Sequence, residues 1–332
     1  MTRLAQYTSM HIGAEPRSLA LPTSEQELID VIASADREGR PIVILGGGSN
    51  VLFSDDFAGD VVRVSHTGLE NDESACAGAW VTVQAGHEWD DVVNTAVHAG
   101  WTGIEALSGI PGTAGATPIQ NVGAYGQQVS QTIAQVRVWD RHDTQIRTLF
   151  AADCDFGYRT SVFKKHPERF VILSVTYQLP LGTMSAPVAY DELATALEVN
   201  VGDRVPLHRV RQSVLSLRKS KGMVLDAQDP DTWSVGSFFL NPRVLQAPVG
   251  APSWPQPAGD VKVSAAWLIE QAGFGRGFGL NPRAALSSKH TLALTNRGGA
   301  SAADIMELAS HIQAGVESRF GIRLELEPRI IG

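Results

Sequence analysis

A chain of 332 residues, 43% hydrophobic and 19% charged, can bury a sizeable core and is long enough for about two or three domains. Its net charge of −8 argues against a general nucleic-acid binder. No apolar run is long enough to span a bilayer, and the start MTRLAQYTSMHIG lacks a signal-peptide core, so the expected location is the cytoplasm.

Ser24 followed by Glu27 forms a capping box, and Leu28, Ile29, Val31, Ile32 and Ala35 make an apolar face that stops at Gly39, which predicts a helix. Residues 41–45 (PIVIL) read as a buried strand running into Gly46-Gly47-Gly48-Ser49-Asn50, a phosphate-type turn at a strand's carboxyl end. Gly46 and Gly48 have the spacing that opens a dinucleotide fingerprint. The third glycine is missing, and Val51-Leu52-Phe53-Ser54 reads as strand or loop where that fingerprint needs a helix. Cys76 and Cys154 lack metal or redox spacing, so neither a disulfide framework nor a metal site is expected. Residues 80–85 alternate as a strand. Trp89, Val92, Val93, Ala96 and Val97 then predict a helix closing at Gly100.

Next comes Ser108 to Gly126, SGIPGTAGATPIQNVGAYG. Gly109, Gly112, Gly115, Gly123 and Gly126 let the backbone approach a ligand and turn several N–H groups toward one anion, as a diphosphate requires. Pro111 and Pro118 stiffen the path, and Gln120, Asn121 and Tyr125 offer groups for a ring or ribose. An Ω-loop held by its own polar groups is the alternative.

Strand-like runs at 136–139, 146–150 and 171–179 are interrupted by CDFGYRTSVFKK (154–165), where Arg159 is either a stacked surface arginine or a charge set to meet an anion. A helix is expected over 206–219, with Arg209, Arg211, Arg218 and Lys219 as a mostly solvated charge run and Lys221 at its end facing a cleft. The four prolines of 247–259 predict a surface connection, 264–272 a short helix, and 274–279 a Gly-rich turn. Ser301 caps a last helix with Ile305, Leu308, Ala309, Ile312, Val316 and Phe320 inward, and a final strand is expected over 322–331.

Five separated stretches, LGGGSNVLFSD (45–55), SGIPGTAGATPIQNVGAYGQ (108–127), CDFGYRTSVFK (154–164), GSFFLNP (236–242) and LELEPRIIG (324–332), resemble in order the UDP-N-acetylenolpyruvoylglucosamine reductase (MurB) family. The resemblance spans nearly the whole chain. It implies an α+β fold: a two-part FAD-binding module of the PCMH/vanillyl-alcohol-oxidase type plus a smaller α+β substrate-binding domain. The implied division is 1–66 with the C-terminal strand 322–332, then 67–220, then 221–321.

It also implies noncovalent FAD, NADPH as hydride donor, a nucleotide-sugar substrate, and a monomer that reduces an enolpyruvyl ether for peptidoglycan synthesis. Flavin contacts would come from Leu45, Gly46, Gly47, Gly48, Ser49 and Asn50, and from Ser108, Gly109, Pro111, Gly112, Gly115, Ala116, Ile119, Gln120, Asn121, Gly123, Ala124, Tyr125 and Gly126. Arg159 matches the arginine that holds the enolpyruvyl carboxylate, Glu327 the catalytic glutamate, and Ser237 the proton donor. Without the resemblance Ser237 reads as a turn serine. Tyr158, Tyr190, Lys221 and Asn241 match substrate-contacting positions, with Tyr190 pointing to the longer type of the family; a helix-start aromatic packed on the core is its alternative.

Pro328 departs from the family's Glu-Val-Arg, and Glu325 shares a strand face with Glu327. His290 stands where some members carry a substrate-contacting glutamine. The competing readings are a flavin oxidase on the same module, for which the Gly-rich loops lack a Cys or His for covalent attachment, and an inactive nucleotide-sugar-binding regulator, which would need no proton-transfer residues.

Overall fold

The computed structural model describes residues 3–256 and 258–332. The chain divides into two compact units, one of residues 17–47 and 59–219, the other of 1–16, 48–58 and 220–332.

The first unit holds two sheets. In the five-stranded antiparallel sheet the order is Gln145–Phe150, Ile133–Asp140, Phe170–Leu179, Gly78–Gln84, Leu69–Ser74. Phe170–Leu179 is apolar and buried along most of its length because it pairs on both edges and is covered on both faces. The helix Trp89–Ala99 ends on left-handed Gly100, and its Trp89 packs 5.6 Å from the Tyr177 ring. The second sheet is parallel, with Asp60–Arg63 between Ser18–Ala20 and Ile42–Leu45. Glu25–Arg37 is the helix expected after Ser24; Ser24 Oγ accepts from the Glu27 amide, while the Glu27 carboxylate accepts from the Thr23 amide at 2.8 Å rather than from Ser24, and Leu28, Ile32 and Ala35 are buried in the core that both sheets share. Buried Asp60 fastens this edge, accepting from Arg17, Arg40 and Ser18 at 2.5–2.8 Å.

The second unit packs around Ala302–Phe320, whose Ile305, Leu308, Ala309, Ile312 and Val316 face its core. Three-stranded antiparallel sheets form from Arg243–Val244, Val261–Val263 and Ser253–Pro255, and from Gly279–Asn281, Ala284–Leu286 and Leu294–Asn296. The Pro-rich segment is therefore partly sheet, and its Pro257 lies outside the described residues.

One expectation fails: 322–331 is not a continuous strand. Leu326 makes a single bridge to Phe239, the chain bends at Pro328, and only Arg329–Ile331 forms a ladder, parallel to Val51–Phe53. Proline lacks the amide that a continuous ladder needs, so the segment changes partner there.

Candidate functional site

In the first unit the strand Ile42–Leu45 delivers Gly46 and Gly47 against the second glycine-rich stretch. A Cβ on Gly47 would lie 2.6 Å from Gly112 Cα, so the two turns touch backbone to backbone, an approach only glycine permits. Among the described residues the amides of Gly46, Gly47, Ile110 and Gly112 make no hydrogen bond to the chain. Backbone donors gathered at such a close approach suit a diphosphate, and the donor set fits the dinucleotide expected there. Gly48, Ser49 and Asn50 belong to the second unit, where Gly48 O accepts from Ser9 and Asn50 reaches Glu327 O at 3.4 Å.

Several residues expected to face a cofactor also hold the loop itself. Ser108 Oγ donates to Glu105 O at 2.7 Å and is fully buried. Gly115 lies so close to Ala85 that a Cβ would overlap it at 2.5 Å, and its amide donates to Ala85 O. Asn121 is 1% exposed, and its carboxamide bridges two segments, donating to Gly157 O at 3.0 Å and accepting from the Ser130 amide at 3.1 Å. Pro111, Ala116 and Gln120 lie on this path, whose Ala114–Ala116 forms one 3-10 turn, and Ile119 is 40% exposed. Gly123 and Ala124 pair with Gln127 and Gln128 in a small hairpin around Tyr125 and Gly126.

The charge run of the helix Leu207–Ser220 is solvated only in part: Arg209 and Lys219 are exposed, whereas Arg211 and Arg218 are partly buried. Arg211 grips Asp90 with both Nη atoms at 2.7 and 2.8 Å, and Asp90 Oδ1 also accepts the Gly109 amide at 2.6 Å. Burial alone would raise the Asp90 carboxyl, but Arg211 and the Gly109 amide outweigh it and hold its pKa below the usual value. Arg218 Nε is buried; burial pulls this guanidinium down to about 10, with Tyr125 and Asp90 opposing, so it remains a cation at neutral pH. Burial pushes the Tyr125 phenol up to about 12. Tyr190, at the start of Asp191–Leu197, meets Tyr125 edge to face at 6.0 Å. Sequence periodicity missed Asp90 and Arg211, since a charged position on an amphipathic helix looks solvated until its partner helix is known.

Arg159 lies in the same unit, with Nη2 donating to Gly123 O at 2.7 Å and Nη1 to Asn121 O at 3.3 Å. Its guanidinium stands 5.6 Å from the Tyr158 ring centre. Its backbone is left-handed at φ 52°, as are Asn121 at 47°, Tyr125 at 48° and Asp155 at 47°. Such a set of non-glycine residues in a sparsely populated region marks a place where surrounding contacts outweigh local preference.

In the second unit Ser237 is half-buried, and its hydroxyl makes no hydrogen bond to the chain among the described residues. The next residue joins it to Glu327: Glu327 N donates to Phe238 O at 3.0 Å, and Leu240 N donates to Glu325 O at 2.9 Å. Glu327 is half-buried and Glu325 exposed, which separates two carboxylates that strand parity alone left equivalent. Asn241 Oδ1 accepts the Ala265 amide at 2.9 Å, and Lys221 follows the helix Leu207–Ser220.

Residues 16–149 match the family model "FAD binding domain", and 228–331 match "UDP-N-acetylenolpyruvoylglucosamine reductase, C-terminal domain". A curated relative from Cutibacterium acnes, named UDP-N-acetylenolpyruvoylglucosamine reductase, is 53% identical over 99% of this chain and 89% of that protein. One of the same name from Thermobifida fusca is 49% identical over 99% and 96%. The crystal structure of MurB from Thermus caldophilus superposes with a TM-score of 0.67 at 24% identity, covering 100% of this chain and 98% of that one, which establishes the same overall fold.

Proposed function

This chain belongs to the UDP-N-acetylenolpyruvoylglucosamine reductase family, and from that premise we propose that Arg159, Ser237 and Glu327 divide the chemistry of its reaction. The protein is an FAD-dependent oxidoreductase that uses NADPH to reduce UDP-N-acetylglucosamine-enolpyruvate to UDP-N-acetylmuramate in peptidoglycan precursor synthesis.

When bound, FAD supplies a hydride carrier between NADPH and the β carbon of the enolpyruvyl ether. The protein's task is to manage the charge and the proton. Arrival of hydride at the β carbon leaves negative charge on the α carbon and its carboxylate. The Arg159 guanidinium, always charged and able to bind a carboxylate through two parallel N–H bonds, meets that charge. Glu327 acts near the same carboxylate, either protonated and donating a hydrogen bond or ordering Arg159, and Ser237 Oγ gives its proton to the α carbon. Lys221 and the Asn241 amide group take the substrate's diphosphate, while Tyr158 and Tyr190 line its path. Gly46, Gly47, Ile110 and Gly112 hold the cofactor's diphosphate on their amides, with the remaining loop positions along its length. The functional division into 1–66, 67–220 and 221–321, with 322–332 joining the first part, belongs to this proposal, as do a monomeric state and a cytoplasmic location. No helix of the described residues is long and apolar enough to cross a membrane.

The observation that supports the reading most is the adjacency of Ser237 and Glu327 across the Phe238 carbonyl, with the serine hydroxyl making no hydrogen bond to the chain among the described residues. The test is an anaerobic absorption experiment. Flavin bands should bleach with NADPH and return on adding the enolpyruvyl sugar nucleotide. Rapid recovery with dioxygen alone would favour an oxidase, and a colourless folded protein that takes up no FAD would overturn the reading.

A further inference from the structure

Arg159 can perform the proposed role only if its guanidinium is delivered from a backbone conformation that an arginine does not choose. A left-handed backbone is disfavoured for any residue bearing a Cβ, and Arg159 stands at φ 52°. Its carbonyl accepts from Lys164 Nζ at 3.0 Å. The turn beneath it is closed by Gly157 N donating to Thr160 O at 3.0 Å, and Gly157 O in turn accepts from Asn121 Nδ2 at 3.0 Å. The same Asn121, through its own carbonyl, accepts from the Arg159 guanidinium. Lys164 is itself fixed, because the short helix Val162–Lys165 starts on Ser161, whose hydroxyl accepts the Lys164 amide at 3.3 Å and donates to Ile119 O at 2.5 Å.

We infer that Lys164 and Asn121 are positioning residues for Arg159: the ammonium holds its carbonyl from one side, and the carboxamide ties the turn to the flavin loop from the other. The inference rests on the reading of Arg159 as the carboxylate-binding group. Neither residue needs to touch substrate. Lys164 acts as a hydrogen-bond donor to the Arg159 carbonyl, so arginine or glutamine can replace it in part, whereas methionine, of similar length, cannot.

The test uses the FAD-loaded, full-length enzyme and two kinds of measurement. In calorimetry, Lys164→Met should weaken binding of UDP-N-acetylmuramate, which carries the ether carboxylate, by about tenfold, the factor that corresponds to losing one such restraint. Binding of UDP-N-acetylglucosamine, which lacks that carboxylate, should stay within about twofold. In anaerobic stopped flow, the same variant should slow flavin reoxidation by the enolpyruvyl substrate about tenfold and leave reduction by NADPH unchanged, with Lys164→Gln recovering most of the loss. Asn121→Ser should likewise weaken UDP-N-acetylmuramate more than UDP-N-acetylglucosamine, while the comparison of half-reactions rests on the Lys164 variants. If Asn121→Ser fails to fold, Lys164→Met alone carries the test.

Three results would overturn the inference: equal weakening of both ligands, equal slowing of both half-reactions, or losses from Lys164→Met and Arg159→Lys that multiply fully in the double variant. Failure of the underlying reading looks different. Arg159→Lys would then keep the preference for the carboxylate-bearing ligand, whereas an Arg159→Lys that loses the preference beside a Lys164→Met that keeps it removes only the positioning role.

Discussion

The segments bearing Arg159 and those bearing Ser237 and Glu327 are built by opposite means. Around Arg159 the chain is held by side chains acting on backbone groups: Asn121 on Gly157, Lys164 on Arg159, Ser161 on Ile119, Asp90 on Gly109. Around Ser237 the backbone holds itself, through the paired amides and carbonyls of 238–240 with 325–327. The first design permits left-handed residues and depends on individual side chains. The second tolerates side-chain changes, since backbone pairing does not depend on which side chains stand at 237 and 327.

The largest expected effect tests the self-supporting half. Ser237→Ala should leave the fold and flavin reduction by NADPH nearly normal and slow reoxidation by the enolpyruvyl substrate at least about a hundredfold, read by stopped-flow absorbance. Equal slowing of both half-reactions would remove the proton-donor role. In the side-chain-supported half, Arg159→Lys should cost several tens-fold in the same step, since an ammonium cannot reproduce a two-point grip; wild-type reoxidation would refute it.

Asp90→Asn keeps an acceptor for the Gly109 amide but removes the charge that Arg211 holds. The FAD dissociation constant should rise about tenfold by fluorescence titration, and an unchanged value would mean that the loop keeps its shape without the pair.

The smallest effect concerns acid stability. Asp140 is fully buried, and hydrogen bonds from Arg169 hold its carboxyl far below the usual range. A carboxyl whose folded pKa is depressed contributes its full stabilisation above the unfolded value of about 4 and loses it as pH falls toward the folded value. Arg147 and Arg169 are 45% and 37% exposed, so screening limits the contribution to about 1–2 kcal/mol. Asp140→Asn should lower the melting temperature by a few degrees at pH 7, and the difference from wild type should shrink below about pH 4. A difference that persists at low pH would assign the loss to packing.

Helices were the most legible parts of the fold. The Ser24 and Ser301 caps state where a helix begins, and local periodicity states which face is buried. Short strands such as Ser18–Ala20 carry too few residues to show alternation, and their partner at Asp60–Arg63 is remote in sequence. The glycine turns were legible as backbone donors, but not which members serve the loop's own packing, because the Cβ clash of Gly115 with Ala85 exists only in three dimensions. Ser237 reads as a turn serine until its pairing partner is known. Lys164 was hidden in a stretch read as mixed aromatic and cationic, although Ser161 three residues earlier is a capping signal that could have placed it on a helical turn.

The parallel pairing of Arg329–Ile331 with Val51–Phe53 has a kinetic consequence. Asn50 and Glu327 are 277 positions apart, and Asn296 reaches back 286 positions to Met10. Contacts of such sequence separation require large loops to close before any reward is gained, and they set the slow end of folding. The unit of 17–47 and 59–219 draws on chain that is already at hand, whereas the other must gather three distant pieces. During refolding, burial of the first core should therefore precede recovery of activity, with Glu327 among the last groups to reach its place.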